Sequence, residues 1–175
     1  MKKVILTAAL FTVLSLTALL PAAHAANTAS ATATATANIV RGLTIANTQG
    51  LNFGRIVPNE GGVVTVSVKG ERSSSDSAML IPDSYDRPTA AAFDVTGDGG
   101  HNFQILLPKT ATIKSEKSEM EVSKFVCSLG DSSTLKGELN ELGTQAFTVG
   151  ANLTVAADQA VGAYAGTFDV TVTYQ

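Results

Sequence analysis

The last fourteen residues, GAYAGTFDVTVTYQ, constrain the fold of this chain more than any other stretch. Apolar side chains occupy alternate positions along much of the run, with threonine or aspartate at most positions between them. A period of two is typical of a β-strand with one buried and one solvent-exposed face. We therefore predict a strand whose inward residues are Tyr164, Phe168, Val170, Val172 and Tyr174. Because it comes last, we expect it to lie between strands formed much earlier in the chain.

Short alternating runs continue through most of the chain, separated by glycine, proline or clusters of polar residues. Outside the first 25 residues, no segment shows the sustained apolar period of an amphipathic helix. We therefore predict an all-β, immunoglobulin-like or pilin-like β-sandwich of about 8–10 short strands. The strands predicted before the last one are 39–46, 63–68, 78–81, 90–96, 102–107, 110–114, 119–127, 144–149 and 151–155. The polar run 70–77 is a predicted loop, and the polar run 130–143 could hold a short irregular piece.

Glycines mark two kinds of position in this pattern. Gly54 and Gly150 each interrupt a strand-like run, which indicates a bulge or a close approach of another backbone. Gly97, Gly99 and Gly100 stand together between two predicted strands, where we expect them to supply positive φ angles at a tight connection.

The first 25 residues have the pattern of a secretory signal peptide. Lys2 and Lys3 precede an apolar run that ends at Pro21, and the small-x-small motif of residues 23–25 follows. The alternative is a membrane anchor, but the run is shorter than the roughly 20 apolar residues that a span needs. We predict export through the inner membrane, with cleavage before Ala26, and no stable membrane span afterwards.

The chain that remains after such cleavage suits a single domain. It has 150 residues, 10 of them basic and 15 acidic, which gives a net charge of −5. The charges are scattered rather than clustered, so we expect neither nucleic acid nor an anionic membrane as a partner. The predicted β-sandwich domain covers residues 39–175.

Residues 26–38 form an alanine- and threonine-rich extension before this domain. Its alanines fall on alternate positions, and Ile39 keeps the same phase; the set is Ala29, Ala31, Ala33, Ala35, Ala37 and Ile39. One interpretation is a flexible linker, which the composition alone supports. The other is a donor strand that completes the sheet of a neighbouring subunit. Burying five alanine methyl groups supplies only about 4 kcal/mol, so backbone hydrogen bonds to an open sheet edge would be needed as well.

Cys127 is the only cysteine, so the chain cannot form an internal disulfide. In the run 119–127 the inward phase slips near Lys124, which predicts a β-bulge. This places Cys127 on the buried face and favours a structural thiol over a reactive or intermolecular one.

The residue inventory argues against an enzyme. Beyond the signal region the chain has one histidine, His101, beside a glycine-rich turn, and no motif supports a catalytic triad. Asp94 and Asp98 could contribute to a calcium site, but the spacing lacks the distal glutamate of a calcium loop, and this question stays open. We predict no catalytic residue, no cofactor and no metal site.

The C-terminal run resembles the last strand of bacterial pilus subunits that are assembled by a chaperone and an usher. Tyr174 is penultimate, Val172, Val170 and Phe168 alternate before it, and Gly162 is fourteenth from the end. The resemblance implies pairing of this strand with a periplasmic chaperone by β-augmentation. The chain departs from the typical subunit, which has a disulfide, and is closer to divergent pilins without one.

A fuller resemblance is to the domain of unknown function 4402 family of secreted bacterial domains. It is carried by the runs LNFG at 51–54, AFDVTG at 92–97, FTVGANLTV at 147–155 and GAYAGTFDVTV at 162–172. It covers about residues 39–175. It implies a surface or pilus-like β-domain without an assigned biochemistry, so no functional residue is transferred from it.

Two functions follow as expectations. The first is a structural subunit of a bacterial surface fibre or pilus, assembled by β-strand exchange with copies of itself and passing through the periplasm to the cell surface. Its predicted assembly strands are the alternating extension residues 29–39 and the C-terminal residues Gly162, Tyr164, Phe168, Val170, Val172 and Tyr174. The second is a monomeric secreted module that binds a protein or glycan through its loops. An open groove favours the first function, and a closed sandwich favours the second.

Overall fold

The computed structural model describes residues 28–75, 80–81, 86–130 and 135–175, and the predicted signal peptide lies outside these ranges. The described residues form strands and connecting segments without any helix, so the all-β prediction is confirmed. They accordingly include no helix capable of crossing a membrane. The strands are β1 Thr44–Gln49, β2 Gly62–Val66, β3 Arg72–Ser74, β4 Ala91–Thr96, β5 Asn102–Leu106, β6 Thr110–Lys114, β7 Glu119–Cys127, β8 Leu135–Glu138, β9 Thr144–Val155 and β10 Thr171–Tyr174.

The strands form a large sheet of seven strands and a small sheet of three, with antiparallel pairing throughout. The long strand β9 organises the large sheet. Val149 in β9 pairs with Ala91 of β4 on one side and with Cys127 of β7 on the other. Further along, Leu153 pairs with β2 and again with β7. Strands β4 and β2 therefore follow one another along one edge of β9, and β7 covers the other edge.

The prediction of two strands around Gly150 is wrong, because β9 continues through this glycine without a break. Gly150 is buried, and a Cβ atom there would overlap the carbonyl oxygen of Val66 and lie 3.0 Å from the backbone nitrogen of Val68. The chain that leaves β2 therefore approaches β9 closely at Gly150. Of the two interpretations of this glycine, a bulge or a close backbone approach, the second is confirmed.

Two polar runs for which no strand is predicted contain short strands. Residues 72–74 form the edge strand β3, whose polar side chains carry no apolar alternation. In β8 the alternation is present, since Leu135 is buried and Lys136 is exposed, but a glycine occupies the next inward position. A Cβ atom at Gly137 would overlap the ring of Phe103, so the core itself requires the residue that obscured the pattern.

The first and last strands are shorter than predicted. β1 begins at Thr44, and Ile39 is 94% exposed. β10 pairs only with β5, so among the described residues it is an edge strand and does not lie between two others. The alternation before it is confirmed as burial, since Phe168, Val170 and Val172 are half-buried and their neighbours are exposed. Phe168 and Val170 lie between the Ala165 bridge to β6 in the large sheet and strand β10 in the small sheet, and they keep the period of a strand without pairing in a ladder.

The predicted bulge in β7 is confirmed, and the prediction for the three glycines after β4 is confirmed only in part. The bulge in β7 is confirmed by a register shift between Ser123 and Val126, with Lys124 at φ 49°. Of the three glycines after β4, only Gly100 has a positive φ. Gly97 and Gly99 are instead packed closely, the former against Tyr174 and Leu139 and the latter against the backbone of Glu141.

The apolar residues form two clusters on the inner face of the large sheet. The first is sandwiched between the two sheets and contains Ala91, Phe93, Val95, Phe103, Ile105, Cys127, Leu135, Leu139, Phe147 and Val149. The second contains Phe53, Val64, Val66, Val122, Ala151, Leu153 and Val155. Small-sheet residues contribute to the first cluster, whereas the second is packed against irregular segments that include Leu51, Ile56 and Leu80. The far half of the large sheet is therefore covered without a second sheet.

The chain divides into two units, residues 1–37 and residues 38–175. Residues 28–37 are exposed and have no regular secondary structure. The alternating alanines predicted as an assembly strand all lie in this exposed stretch.

Candidate functional site

An apolar cleft of about 810 Å³ lies over the second cluster, where the small sheet does not reach. Its floor is the inner face of three strands and consists of Ala111 and Ile113 in β6, Met120 and Val122 in β7, and Leu153 and Val155 in β9. Ile113 and Met120 are only half-buried. These side chains alternate along their strands with exposed residues, so the period that built the sheet also produced the apolar floor.

One wall of the cleft is formed by residues 51–58. Asn52 holds this wall in place, because its backbone exchanges two hydrogen bonds of 2.9 and 3.0 Å with Thr89. Its side-chain amide donates to Asp86 Oδ1 at 2.9 Å, and its side-chain oxygen accepts from the backbone N–H of Gly54 at 2.8 Å. Gly54 has φ 70° and lies against Arg72, which explains why this turn needs a glycine.

Arg72 clamps the same wall from β3. Its Nη1 donates to the carbonyl oxygens of Phe53 and Arg55 at 3.0 and 3.1 Å, and its Nη2 donates to that of Ile81 at 2.5 Å. The planar guanidinium suits such a fork of carbonyl acceptors. Sequence reasoning missed this residue, since an arginine in a polar run gives no signal of the carbonyls that it will meet.

The opposite wall is formed by residues 159–168. We call residues 159–166 the strap. Ala165 exchanges two backbone hydrogen bonds with Lys114 at the end of β6, at 2.8 and 3.0 Å. The Gln159 amide donates to Ser118 Oγ and to Tyr164 Oη, both at 2.8 Å, and Tyr164 Oη donates to the Ala160 carbonyl at 2.6 Å. The hydrogen bond from Gln159 lowers the pKa of Tyr164, because it stabilises the phenolate.

The lining of the cleft is mainly apolar, with Asn52, Arg55, Asp86, Gln159 and Tyr164 among its polar residues. In the part of the chain that the structure describes, no three histidine, cysteine, aspartate or glutamate residues stand together as a metal site. Asp98 Oδ2 lies 3.3 Å from His101 Nδ1 in the turn after β4, and Asp94 is an exposed residue of β4.

The structure distributes the predicted C-terminal site residues between two places. Gly162, Tyr164 and Phe168 line the cleft. Val170, Val172 and Tyr174 pack against the first cluster, as Phe168 also does. The Phe168 ring lies 4.9 Å from the ring of Phe125 and 6.3 Å from that of Phe93, measured between centroids, so this residue joins the cleft to the sandwich.

Tyr174 ties three segments together. Its hydroxyl donates to the Arg41 carbonyl and accepts from the backbone N–H of Asp98, both at 2.7 Å. Its ring meets the edge of His101 at 5.8 Å between centroids. The absence of a side chain at Gly97 leaves space for this hydroxyl. The penultimate tyrosine thus fixes the point at which the chain enters the domain.

The family model described as "Domain of unknown function (DUF4402)" matches residues 43–174, which is most of the chain. The chain belongs to the DUF4402 family. Comparison with curated proteins and with solved structures gives no match. The DUF4402 match begins just before β1 and ends at Tyr174, so it includes both walls and the floor of the cleft.

Proposed function

We propose that this DUF4402 protein is a structural subunit of a bacterial surface fibre, in which residues 28–39 of one copy enter the cleft of the next. The observation that carries the proposal is the open apolar cleft over the second cluster. Half-buried apolar residues on its floor gain by being covered, because each buried methylene group stabilises by about 0.8 kcal/mol. Concave, mainly apolar sites of this volume are typical of binding sites.

The extension has the properties that such a cleft requires. Residues 28–39 carry no charge, and their alanines repeat with the period of a strand. They are exposed in the single copy, and so is Ile39 at the end of the run. Alternating methyl groups enter a narrow cleft without steric strain. The threonines between them would face away from the floor.

The proposal includes export and a helper protein. The signal-like residues 1–25 would direct the chain to the periplasm, and cleavage before Ala26 would free the extension. N-terminal sequencing of the exported protein tests this step, and an intact Met1 would contradict it. A periplasmic chaperone that pairs with the edge strand β10 would keep subunits apart before assembly.

The experiment that tests strand exchange compares two substitutions at neighbouring positions of the extension. Ala33→Asp places a carboxylate on the face that enters the cleft, where an unpaired buried charge is costly. Thr34→Asp adds the same charge on the opposite face. We expect the wild type and Thr34→Asp to give ladders of oligomers on denaturing gels without boiling, and Ala33→Asp to give monomers.

A second candidate is a monomeric module whose cleft receives an apolar group of a separate protein or glycan partner. The volume of the cleft favours this second function, because it lies within the range of about 300–1,000 Å³ that is usual for ligand sites. If the wild type and both aspartate variants are all monomeric at every concentration, strand exchange is contradicted and this second function remains.

A further inference from the structure

Strand β6 lies at the edge of the large sheet and borders the cleft. It pairs with β7 on one side only. On its other side the N–H and C=O groups of Lys114 bond to Ala165 of the strap. Because backbone groups of alternate strand residues point the same way, Thr110 and Thr112 present theirs along this same edge. Among the described residues, Lys114 alone has a backbone hydrogen-bond partner on this edge, and Gly166 of the strap lies against the carbonyl of Thr112.

The strap sits where a further strand on this edge would begin. A Cβ atom at Gly166 would overlap the carbonyl oxygen of Thr112 and lie 3.0 Å from Ile113 Cα. Only a residue without a side chain can lie this close to Thr112, so position 166 requires a glycine. A strand paired with β6 would place its alternate side chains on the face of Ala111 and Ile113, which is the floor of the cleft.

The strap contributes few large apolar side chains for a segment that lines an apolar cleft. Five of its eight residues are alanine or glycine, and Val161 is 87% exposed. It is held to β6 by the Ala165 pair with Lys114. It is held to the turn after β6 by Gln159, which donates to Ser118 Oγ and to the Glu119 carbonyl, and by hydrogen bonds of Tyr164 with Ser115 and Ser118. The bonds between Tyr164, Gln159 and Ala160 lie within the strap and can move with it. Little apolar burial is therefore lost when the strap leaves β6.

From these contacts we infer that the strap is a displaceable cover that competes with an incoming strand for the edge of β6. In the single copy it occupies the edge at Lys114 and Thr112 and forms one wall of the cleft. Its release admits the uncharged segment 28–39 of a second copy, which pairs with Thr110, Thr112 and Lys114. This inference rests on the proposed function and adds the edge that is used and the step that controls access to it.

A reversible crosslink of the strap tests this inference. Lys114 and Ala165 exchange both backbone bonds, and such antiparallel pairs have Cα atoms about 5.5 Å apart, within the range of a disulfide. The protein is the chain from Ala26 with Ala33→Asp, Lys114→Cys and Ala165→Cys, so that its own extension does not compete. The native Cys127 is buried and does not interfere. The probe is a fluorescein-labelled synthetic peptide of residues 28–40, and binding is measured by anisotropy.

We expect the reduced protein to bind the peptide as tightly as the parent with Ala33→Asp alone, and the oxidised protein to bind at least tenfold more weakly. Equal binding by both forms would overturn the role of the strap while the proposed function stands. If neither the parent nor either form of the crosslinked protein binds the peptide, strand exchange itself is contradicted, and the proposed role of the strap is contradicted with it. Circular dichroism checks that both forms are folded.

A second variant tests the same point without a crosslink. Gly166→Ala pushes the strap away from Thr112, so we expect the peptide to associate several-fold faster than with the parent. Gly162→Ala is the matched control, because its Cβ atom would meet nothing closer than Ser115 Cβ at 3.6 Å. Association that is slower in Gly166→Ala than in this control would overturn the inference.

Discussion

Cys127 behaves as a small apolar residue in the centre of the sandwich. It is 4% exposed, and burial raises the pKa of its thiol. We expect thiol reagents to label it slowly in the native protein and rapidly in denaturant. Cys127→Ser should lower the free energy of unfolding by about 1–3 kcal/mol, because it buries a hydroxyl. Urea unfolding measures this, with Cys127→Ala as the control that removes the sulfur without adding a hydroxyl.

The same thiol makes stability depend on pH in the alkaline range. Its pKa is higher in the folded than in the unfolded chain, so the folded state holds the proton longer as pH rises. The free energy of unfolding should therefore fall once pH passes the ordinary thiol pKa of 9.0, where the unfolded chain begins to ionise. Cys127→Ala should lose this part of the pH dependence. An unchanged slope in that variant would contradict the assignment.

Tyr174 carries a prediction that separates its hydroxyl from its ring. Tyr174→Phe keeps the packing but leaves the Arg41 carbonyl and the Asp98 N–H without this partner. We expect a loss of about 1–2 kcal/mol in the free energy of unfolding. We also expect faster trypsin cleavage after Arg41, because this segment is no longer held.

The control for this prediction is Tyr164→Phe, which loses hydrogen bonds to Gln159, Ala160, Ser115 and Ser118 but none to Arg41 or Asp98. Cleavage after Arg41 should stay at the wild-type rate in that variant. Equal acceleration in both variants would show a general loosening rather than release of one segment.

At the scale of elements, the packing of strand β9 depends on the absence of a side chain at Gly150. Gly150→Ala would press a methyl group against the backbone of Val66 and Ser67, which a rotamer change cannot relieve. We expect a loss near the upper end of overpacking effects, about 3 kcal/mol. Gly50→Ala is the matched control, since no atom lies within 4 Å of its Cβ position, and it should change stability little. Thermal unfolding of both variants measures the difference.

The elements that could be predicted from sequence are those whose two faces differ. β6 and β7 match residues 110–114 and 119–127 as predicted, because buried and exposed residues alternate along them. β3 was missed because it is a polar edge strand. β8 was missed because the core leaves no room for a side chain at Gly137.

The cleft was only partly predictable for a related reason. Alternation shows that Ile113, Met120 and Leu153 face inward, but it does not show what covers them. The clamp by Arg72 and the strap contact at Gly166 depend on backbone positions of distant segments. Such contacts are set by the whole fold and produce no periodic pattern in the sequence.

At the scale of the whole molecule, the two clusters should differ in local stability. The first lies between two sheets, whereas the cleft floor is covered by irregular walls. Hydrogen exchange should therefore be faster at the amides of β6 and the strap than in β4 and β5. Mass spectrometry of exchanged peptides measures this. Uniform protection across both regions would show that the walls protect as well as a second sheet does.

The bond between Tyr174 and Arg41 spans 133 residues of sequence. Arg41 therefore gains this hydrogen bond only when segments from opposite ends of the domain meet. Closing so long a loop is slow compared with forming local turns, so we expect this contact to form late in folding. A variant that lacks Tyr174 and Gln175 should therefore leave the segment at Arg41 without this partner. Resistance to trypsin at Arg41 thus reports whether the two ends of the domain have met.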